Sequence, residues 1–306
     1  MTQPLLSRPS EKPTYGTNVA GEESRLRLLA VADDLRTKPF LKWAGGKTRL
    51  LSSILPYVPS KISSYYEPFL GGGSMFFAIR RRIHGRVRLA DLNAELINAW
   101  QVVRDRPSGL IRALRLFYGL DSEEQYYTVR SATYRGNVSR AARFIYLNQT
   151  AWNGLWRVNR YGVFNVPWGN RPFRGLSRDH IQAVSASLRR VRIEADDFRL
   201  TVRRAKAGDF VYFDPPYLPI SDTSKFSGYT EHRFRMGDLE ELAVICRRLT
   251  EKRVRWVLSN RDNPAIRELF PDARIVSFTT RRSVAAQNCR DVQPIDSPET
   301  IIVGGL

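Results

Sequence analysis

The sequence predicts an α/β fold around a seven-stranded sheet. Three observations carry that prediction: short apolar runs at the length of buried strands, helical spacing of apolar residues between several of them, and a glycine-rich turn that joins the first run to a helix. The strand candidates are Tyr65 to Phe69, Arg86 to Ala90, Arg192 to Glu194, Phe210 to Phe213, Arg255 to Leu258, Arg274 to Phe278 and Thr300 to Val303. The first of these, the turn Gly71 to Gly73, a helix over Ser74 to Arg82 and the second strand form a βαβ unit. Strands alternating with helices place the chain in the α/β class. With 306 residues, 42% of them hydrophobic, it has enough apolar material for one large domain, or one domain with a substantial insertion.

The remaining elements follow in chain order. Residues 1 to about 24 are polar, carry Pro4, Pro9, Pro13, Gly16 and Gly21, and have no apolar period, which predicts a poorly ordered arm. A short helix is expected near Arg25 to Leu35. Between 93 and 150 the apolar residues keep helical spacing, as in Leu96, Ile97, Trp100 and Val103, then Leu110, Leu114 and Phe117, then Ala142, Ile145 and Tyr146. From Asn148 to Phe173 that period is lost. There Trp152, Trp156, Tyr161, Phe164, Trp168 and Phe173 interleave with Arg157, Arg160 and Arg171, the composition of a recognition insert.

Composition narrows the function. Lys plus Arg number 49 against 30 Asp plus Glu, a net charge of +19, so a polyanionic partner is the first electrostatic expectation. Most of the cations are arginine, whose planar fork suits phosphates and base edges, although an arginine-biased genome gives the same skew. Two cysteines, Cys246 and Cys289, and three histidines are too few and too scattered for a disulfide framework or a metal site, so no metal is expected. No window reaches 18 uncharged apolar residues, and no signal-peptide core is present, which predicts an intracellular protein.

The sharpest motif is Asp214-Pro215-Pro216-Tyr217, directly after the run Phe210 to Phe213 and therefore at the carboxyl end of a strand. Open α/β sheets bind ligands at that edge. Two successive prolines fix the backbone, so the Asp214 carboxylate and a prolyl carbonyl can both face an amino group while Tyr217 supplies an aromatic face. Accepting both protons of an exocyclic amine favours bending its nitrogen toward tetrahedral geometry and frees the lone pair for in-line attack on a methyl donor. For the four residues alone, an ordinary proline-rich turn is the competing reading.

Upstream, Glu67-Pro68-Phe69-Leu70-Gly71-Gly72-Gly73-Ser74 sits between a strand and a helix, where glycines let a ligand approach the backbone. The second strand then ends in Asp91, at the offset from Gly71 expected of an acid gripping ribose hydroxyls. Such a turn can also merely close a βα connection. The end of Phe40-Leu41-Lys42-Trp43-Ala44-Gly45-Gly46-Lys47-Thr48 invites a phosphate-loop reading, but Leu41 stands where that loop needs glycine. These residues make better sense as a loop folded over a cofactor.

Lys42-Trp43-Ala44-Gly45-Gly46-Lys47, the Glu67 to Ser74 block, Asp91-Leu92-Asn93, Asn153-Gly154-Leu155-Trp156-Arg157-Val158-Asn159, Phe164-Asn165-Val166-Pro167-Trp168-Gly169 and Asp214 to Tyr217 together resemble the Dam family. Its members are DNA adenine N6-methyltransferases that use S-adenosylmethionine. The likeness runs in order from about residue 39 to 305. It implies a mixed, mostly parallel sheet with helices on both faces, a catalytic domain over 39–104 and 191–306, and an inserted helical target-recognition subdomain over 105–190. Residues 1–38 have no counterpart and are expected to be an arm.

By that resemblance, Trp43, Lys47, Glu67, Phe69, Gly71, Gly73, Asp91, Asp197, Phe198 and Asp214 surround the methyl donor. Asp214, Pro215, Pro216 and Tyr217 hold the target adenine, whose departure from the stack costs a few kcal/mol. The resemblance also implies that Trp152 wedges into the duplex and that Asn153, Leu155, Arg157 and Pro167 contact bases of GATC. Lys42 would read an outer guanine, an ordinary partner for a cationic side chain. Arg282 would meet phosphate, unless Arg281 and Arg282 are a solvated hairpin surface. Core packing competes for the tryptophans and is expected at Trp156 or Trp168.

The leading expectation is therefore a site-specific adenine methyltransferase acting on double-stranded DNA, with S-adenosylmethionine as cofactor, monomeric and cytoplasmic. Methylation of another planar amine, such as cytosine N4, RNA adenine or a protein amide, is the alternative within enzymes. A DNA-binding protein without catalysis is the alternative outside them.

Overall fold

The computed structural model describes residues 37–43, 45, 47–217, 234–282 and 295–305. All of these except Thr37 belong to one compact unit, Lys38–Leu306. The expected N-terminal arm and the helix near Arg25 to Leu35 fall outside the described residues.

Seven strands form one sheet: β1 Tyr65–Glu67, β2 Val87–Asp91, β3 Arg192–Ala195, β4 Phe210–Phe213, β5 Arg255–Arg261, β6 Arg274–Arg282 and β7 Ile295–Gly304. Their order is β3-β2-β1-β4-β5-β7-β6. The pairs β3·β2, β2·β1, β1·β4 and β4·β5 are parallel, while β7 runs antiparallel to both β5 and β6. The sheet is mixed and mostly parallel, as the family resemblance implies. From β1 the chain builds outward through β2 and β3, then returns to place β4 on the other side of β1. That reversal opens a crevice at the carboxyl ends of β1 and β4, where such sheets take ligands.

Strand boundaries differ from the apolar runs for local reasons. β1 stops at Glu67, because Pro68 has no N–H to extend the ladder. β6 and β7 run well past their apolar cores, pairing Thr279 with Pro298 and Arg282 with Ile295, through residues too polar to read as strand. The helix after the glycine turn, α2 (Ser74–Ile79), stops short of the expected Arg82, and Arg80–Arg82 tighten into a 3-10 turn that delivers Ile83 to a bridge with Ile62.

Helices cover both faces. Along β4, Phe210 and Tyr212 pack into one buried cluster, and Val211 and Phe213 into the other, the alternation a pleated strand imposes. The first face receives α3 (Ala94–Asp105), whose N-terminus is capped by the Asn93 side chain accepting from the Glu95 and Leu96 N–H groups. Behind it lie α4 (Pro107–Leu114), α5 (Glu123–Ser131), α6 (Asn137–Thr150) and α7 (Arg178–Ser187). The second face receives α8 (Phe198–Thr201), α9 (Met236–Glu251) and α10 (Pro264–Leu269). The helices between β2 and β3 share their core with the sheet: Phe117, Tyr126, Tyr146 and Phe173 are buried in the same cluster as Tyr65 and Phe210. A short helix, α1 (Leu51–Ile54), precedes β1.

Candidate active site

Asp214 leaves the end of β4 into the crevice, and its Oδ1 takes two partners. Lys47 Nζ lies 2.5 Å away, and Ser259 on β5 donates its hydroxyl at 3.0 Å. Asp214 Oδ2 has no hydrogen bond among the described residues. Ser259 is itself held by the Tyr212 hydroxyl at 2.9 Å. Tyr217, three residues on, donates its hydroxyl to Glu299 Oε2 on β7 at 2.5 Å. Its ring stands 5.0 Å from Lys47 Nζ and 5.8 Å from the Arg261 guanidinium.

The electrostatics follow from burial of one cation among acids. Burial opposes charge on Lys47, but Asp214, Tyr217 and Glu299 outweigh it and hold the ammonium above its ordinary pKa. Burial raises the Asp214 carboxyl, with Lys47 and Ser259 pulling against the rise. Tyr217 is raised as well, by burial first and by the neighbouring carboxylates. Lys47 also donates to the Gly45 carbonyl at 3.1 Å, which fixes the loop before α1 over the site.

Across the crevice, the glycine turn meets the acid that ends β2. Gly71 N–H donates to Asp91 Oδ2 and Asn93 N–H to Asp91 Oδ1, each at 3.0 Å. Burial raises this carboxyl and the two donors resist it. A carboxylate has about four lone-pair positions, so each Asp91 oxygen keeps capacity for a hydroxyl. Gly73 adopts φ +69°, and a Cβ there would sit 2.6 Å from the Trp100 ring, so only glycine fits where α2 begins. At Gly71 an added Cβ would meet Trp43 at 2.7 Å, which places the indole directly on the turn. Phe69 stacks on Phe198 at 5.4 Å between ring centroids and meets Phe234 edge-on at 5.9 Å. Asp197, beside Phe198, caps α8 and pairs with Arg199. A buried acid with free acceptor capacity, beside a close-packed glycine turn and an aromatic wall, is an arrangement that a nucleoside-bearing ligand would fit.

Glu67 lies between these two halves at the end of β1. It is buried, accepts the Tyr65 hydroxyl at 2.8 Å, and is pushed up to about 8 by burial, with Asp214 and Asp91 adding to the rise.

The DNA-facing candidates gather around Asn148. This buried amide accepts the Lys42 N–H at 3.1 Å and donates to Lys42 O at 2.7 Å and to Gly154 O at 3.3 Å. It thereby staples Lys42 to the turn that carries Asn153 and Leu155. Asn153 is exposed at φ +52°, and Leu155 is half-buried. Trp152 is half-buried against the core, and its backbone N–H donates to the carbonyl of exposed Pro167. Arg157 is held by Asn165, through Nε at 2.8 Å and Nη2 at 3.4 Å, beside the bridge Val158↔Phe164. Trp156 is buried between Phe144 and Phe164, with centroids 4.2 and 4.6 Å away, so core packing accounts for it. Trp168 is half-buried. Arg282 pairs through its backbone with Ile295, and its side chain is outside the described set.

The sequence reading missed Ser259, Glu299 and Asn148 as partners of site residues. Ser259 ends an apolar run without a motif, and Glu299 precedes one. Only the sheet order β4-β5-β7 brings them to Asp214 and Tyr217.

Comparisons with known proteins identify the family. The family model of the D12 class N6 adenine-specific DNA methyltransferases matches residues 43–284. The type II methyltransferase M1.LlaDCHI of Lactococcus lactis subsp. cremoris is 36% identical over 263 residues, covering 83% of this chain and 92% of that protein. The type II methyltransferase M.MjaIII of Methanocaldococcus jannaschii is 38% identical over 276 residues, covering 84% and 94%. The DNA adenine methylase of Escherichia coli K12 is 31% identical over 255 residues, covering 82% and 90%. This chain belongs to the D12 class of N6 adenine-specific DNA methyltransferases.

Proposed function

We propose that the chain transfers a methyl group from S-adenosylmethionine to N6 of an adenine flipped out of double-stranded DNA, within GATC. The observation that carries this reading is the loading of Asp214: Lys47 and Ser259 occupy Oδ1, which turns Oδ2 to the substrate as an acceptor. When bound, S-adenosylmethionine supplies a methyl carbon activated by a positive sulfur. Asp214 Oδ2 and a prolyl carbonyl of Pro215 or Pro216 accept the two amine protons, and Tyr217 carries the base on its ring. The amine nitrogen would take the methyl carbon in place of the sulfur, which would leave as the uncharged thioether of S-adenosylhomocysteine, and the proton shed by the nitrogen would pass to Asp214 Oδ2 and from there to water. Lys47 and Asp214 balance each other's charge, so the positive charge that develops on the amine meets a fixed acceptor, not a mobile solvent shell.

In this reading the donor lies along the glycine turn, with Asp91 on its ribose, Trp43 and Lys47 over it, and Phe69, Phe198 and Asp197 near its base. Lys42, Trp152, Asn153, Leu155, Arg157 and Pro167 face the duplex, and 105–190 acts as the target-recognition insert. The DNA adenine methylase name of the Escherichia coli relative supports adenine in DNA as the target, and GATC rests on the resemblance of Lys42, Asn153, Leu155, Arg157 and Pro167 to the Dam family's base-contacting positions. One methyl transfer needs no second subunit, so the enzyme acts as a monomer, in the cytoplasm where its DNA is. No helix among the described residues is long and apolar enough to cross a membrane.

The test is nucleoside mass spectrometry of unmethylated plasmid DNA incubated with protein and S-adenosylmethionine, beside a plasmid stripped of GATC. N6-methyladenine only in the first supports chemistry and target together. The mark in both removes the target, and no mark in either removes the reaction.

A further inference from the structure

Strands β3, β2, β1, β4 and β5 all run parallel, so they enter the sheet from one edge, opposite the edge where Asp91 and Asp214 stand. The turns feeding them are tied together: Ile62 N–H donates to the Arg82 carbonyl, Ser63 to that of Gly208, and Tyr65 to that of Arg86. Arginines crowd these turns. Arg86 precedes β2, Arg190 precedes β3, Arg203 and Arg204 precede β4, and Arg253 and Arg255 sit at the start of β5, all of them exposed.

None of these six forms an ion pair among the described residues. On β2 and β3 two arginines are neutralised locally: Arg192 pairs with Glu194, and Arg88 with Glu194 and Asp196. Asp209 is buried beneath the edge and accepts the Lys206 N–H, and Glu251 is the exposed acid nearest in sequence to Arg253. Arg190 and Arg253 also hold left-handed backbone, at φ +64° and +55°. Glycine or asparagine takes that conformation with less strain, so an arginine at both turns favours a use for the side chain.

We infer that this amino-terminal edge is a second binding surface for double-stranded DNA, separate from the catalytic edge. Neighbouring strands are spaced about 4.8 Å apart, so the row from β3 to β5 spans roughly 19 Å. A duplex presents one negative charge per about 1.7 Å, so the row faces on the order of ten phosphates. Arginine forks match phosphate oxygens, and nothing apolar is needed for a contact of this kind. With duplexes at both edges, one protein molecule bridges two DNA segments and can pass between them without dissolving into solvent. The inference rests on membership of a DNA methyltransferase family, and not on the GATC reading.

The experiment immobilises a GATC-containing duplex on beads, saturates it with full-length protein, and adds a fluorescent duplex of unrelated sequence. Wild type should retain the fluorescent duplex, and retention should fall steeply with salt. The variant Arg203→Glu, Arg204→Glu, Arg253→Glu should retain at least tenfold less, while methylating a short duplex in a single turnover within about twofold of wild type. No retention by wild type overturns the inference. So does equal retention by the variant, which assigns bridging to self-association or another segment. Methylation is scored separately, so failure of the proposed reaction is seen independently of failure of the bridge.

Discussion

A carboxylate becomes a directed acceptor when its other oxygen is spoken for, and Ser259 and Lys47 do this to Asp214 Oδ1. Hydrogen bonds to charged groups contribute about 1.5–3 kcal/mol, so Ser259→Ala should lower kcat roughly tenfold to a hundredfold with little change in the donor's KM. An unchanged kcat would mean that Lys47 alone orients the carboxylate. Glu299 acts on Tyr217 in the same way, through the hydroxyl it accepts. Glu299→Gln keeps an acceptor and should retain most of the activity that Glu299→Ala loses, and equal loss in the two would implicate the charge. Neither residue was legible in the sequence, since their partners lie 45 and 82 positions away and no spacing rule connects them. Asp214, Asp91 and the glycine turn were legible because each sits at a strand end, where chain direction alone aims it into the crevice. Glu67 carries a pH dependence whose sign is fixed. Its folded carboxyl keeps a proton up to about 8, while the unfolded group releases it near 4.5. Between those values the folded state binds the extra proton, so stability falls as pH rises, by at most about 1.4 kcal/mol per unit. The urea midpoint of wild type should therefore drop from pH 5 to pH 8 more than that of Glu67→Gln, and parallel profiles would show Glu67 ionised in the fold.

At the scale of elements, the parallel half of the sheet was readable because strands buried on both faces are continuous apolar runs, as in Phe210 to Phe213. The antiparallel half was readable only in its centre. Past Phe278 and before Thr300 the β6–β7 ribbon is polar, and pairing extends there through backbone bonds that leave no apolar trace. The helical period was lost from Asn148, although α6 runs on to Thr150, and the segment after it is ordered by single residues: Asn148 bonding two backbone segments, Trp156 filling the space between Phe144 and Phe164. That core is continuous with the sheet's, which has a thermodynamic consequence. Trp156→Ala should cost about 3–5 kcal/mol, the usual range for removing a buried large aromatic. Because the cluster is shared, the loss should lower one cooperative unfolding transition, with circular dichroism and tryptophan fluorescence still coincident. A new early transition seen by fluorescence alone would mean that the insert melts by itself.

For the whole molecule, the proposed function divides the labour between encounter, served by a net charge of +19, and chemistry in the buried crevice. Exposed arginines act at long range and are screened within about 8–10 Å at ordinary ionic strength. Lys47 and Asp214 lie 2.5 Å apart with side chains only 6% and 20% exposed, too close and too buried for salt to come between them. Salt should therefore act on one stage only. With six or more phosphates contacted, raising salt from about 50 to about 200 mM should lower kcat/KM for DNA on the order of a thousandfold. At saturating DNA, kcat and the donor's KM should stay within about twofold, because the interactions that differ between ground and transition state are the buried ones. Steady-state kinetics across a salt series measures both quantities in one experiment. If kcat instead fell in step with kcat/KM, screened surface charge would be acting in the methyl-transfer step itself, and the division between an arginine-rich exterior that finds DNA and a buried Lys47–Asp214 pair that works on it would have to be given up.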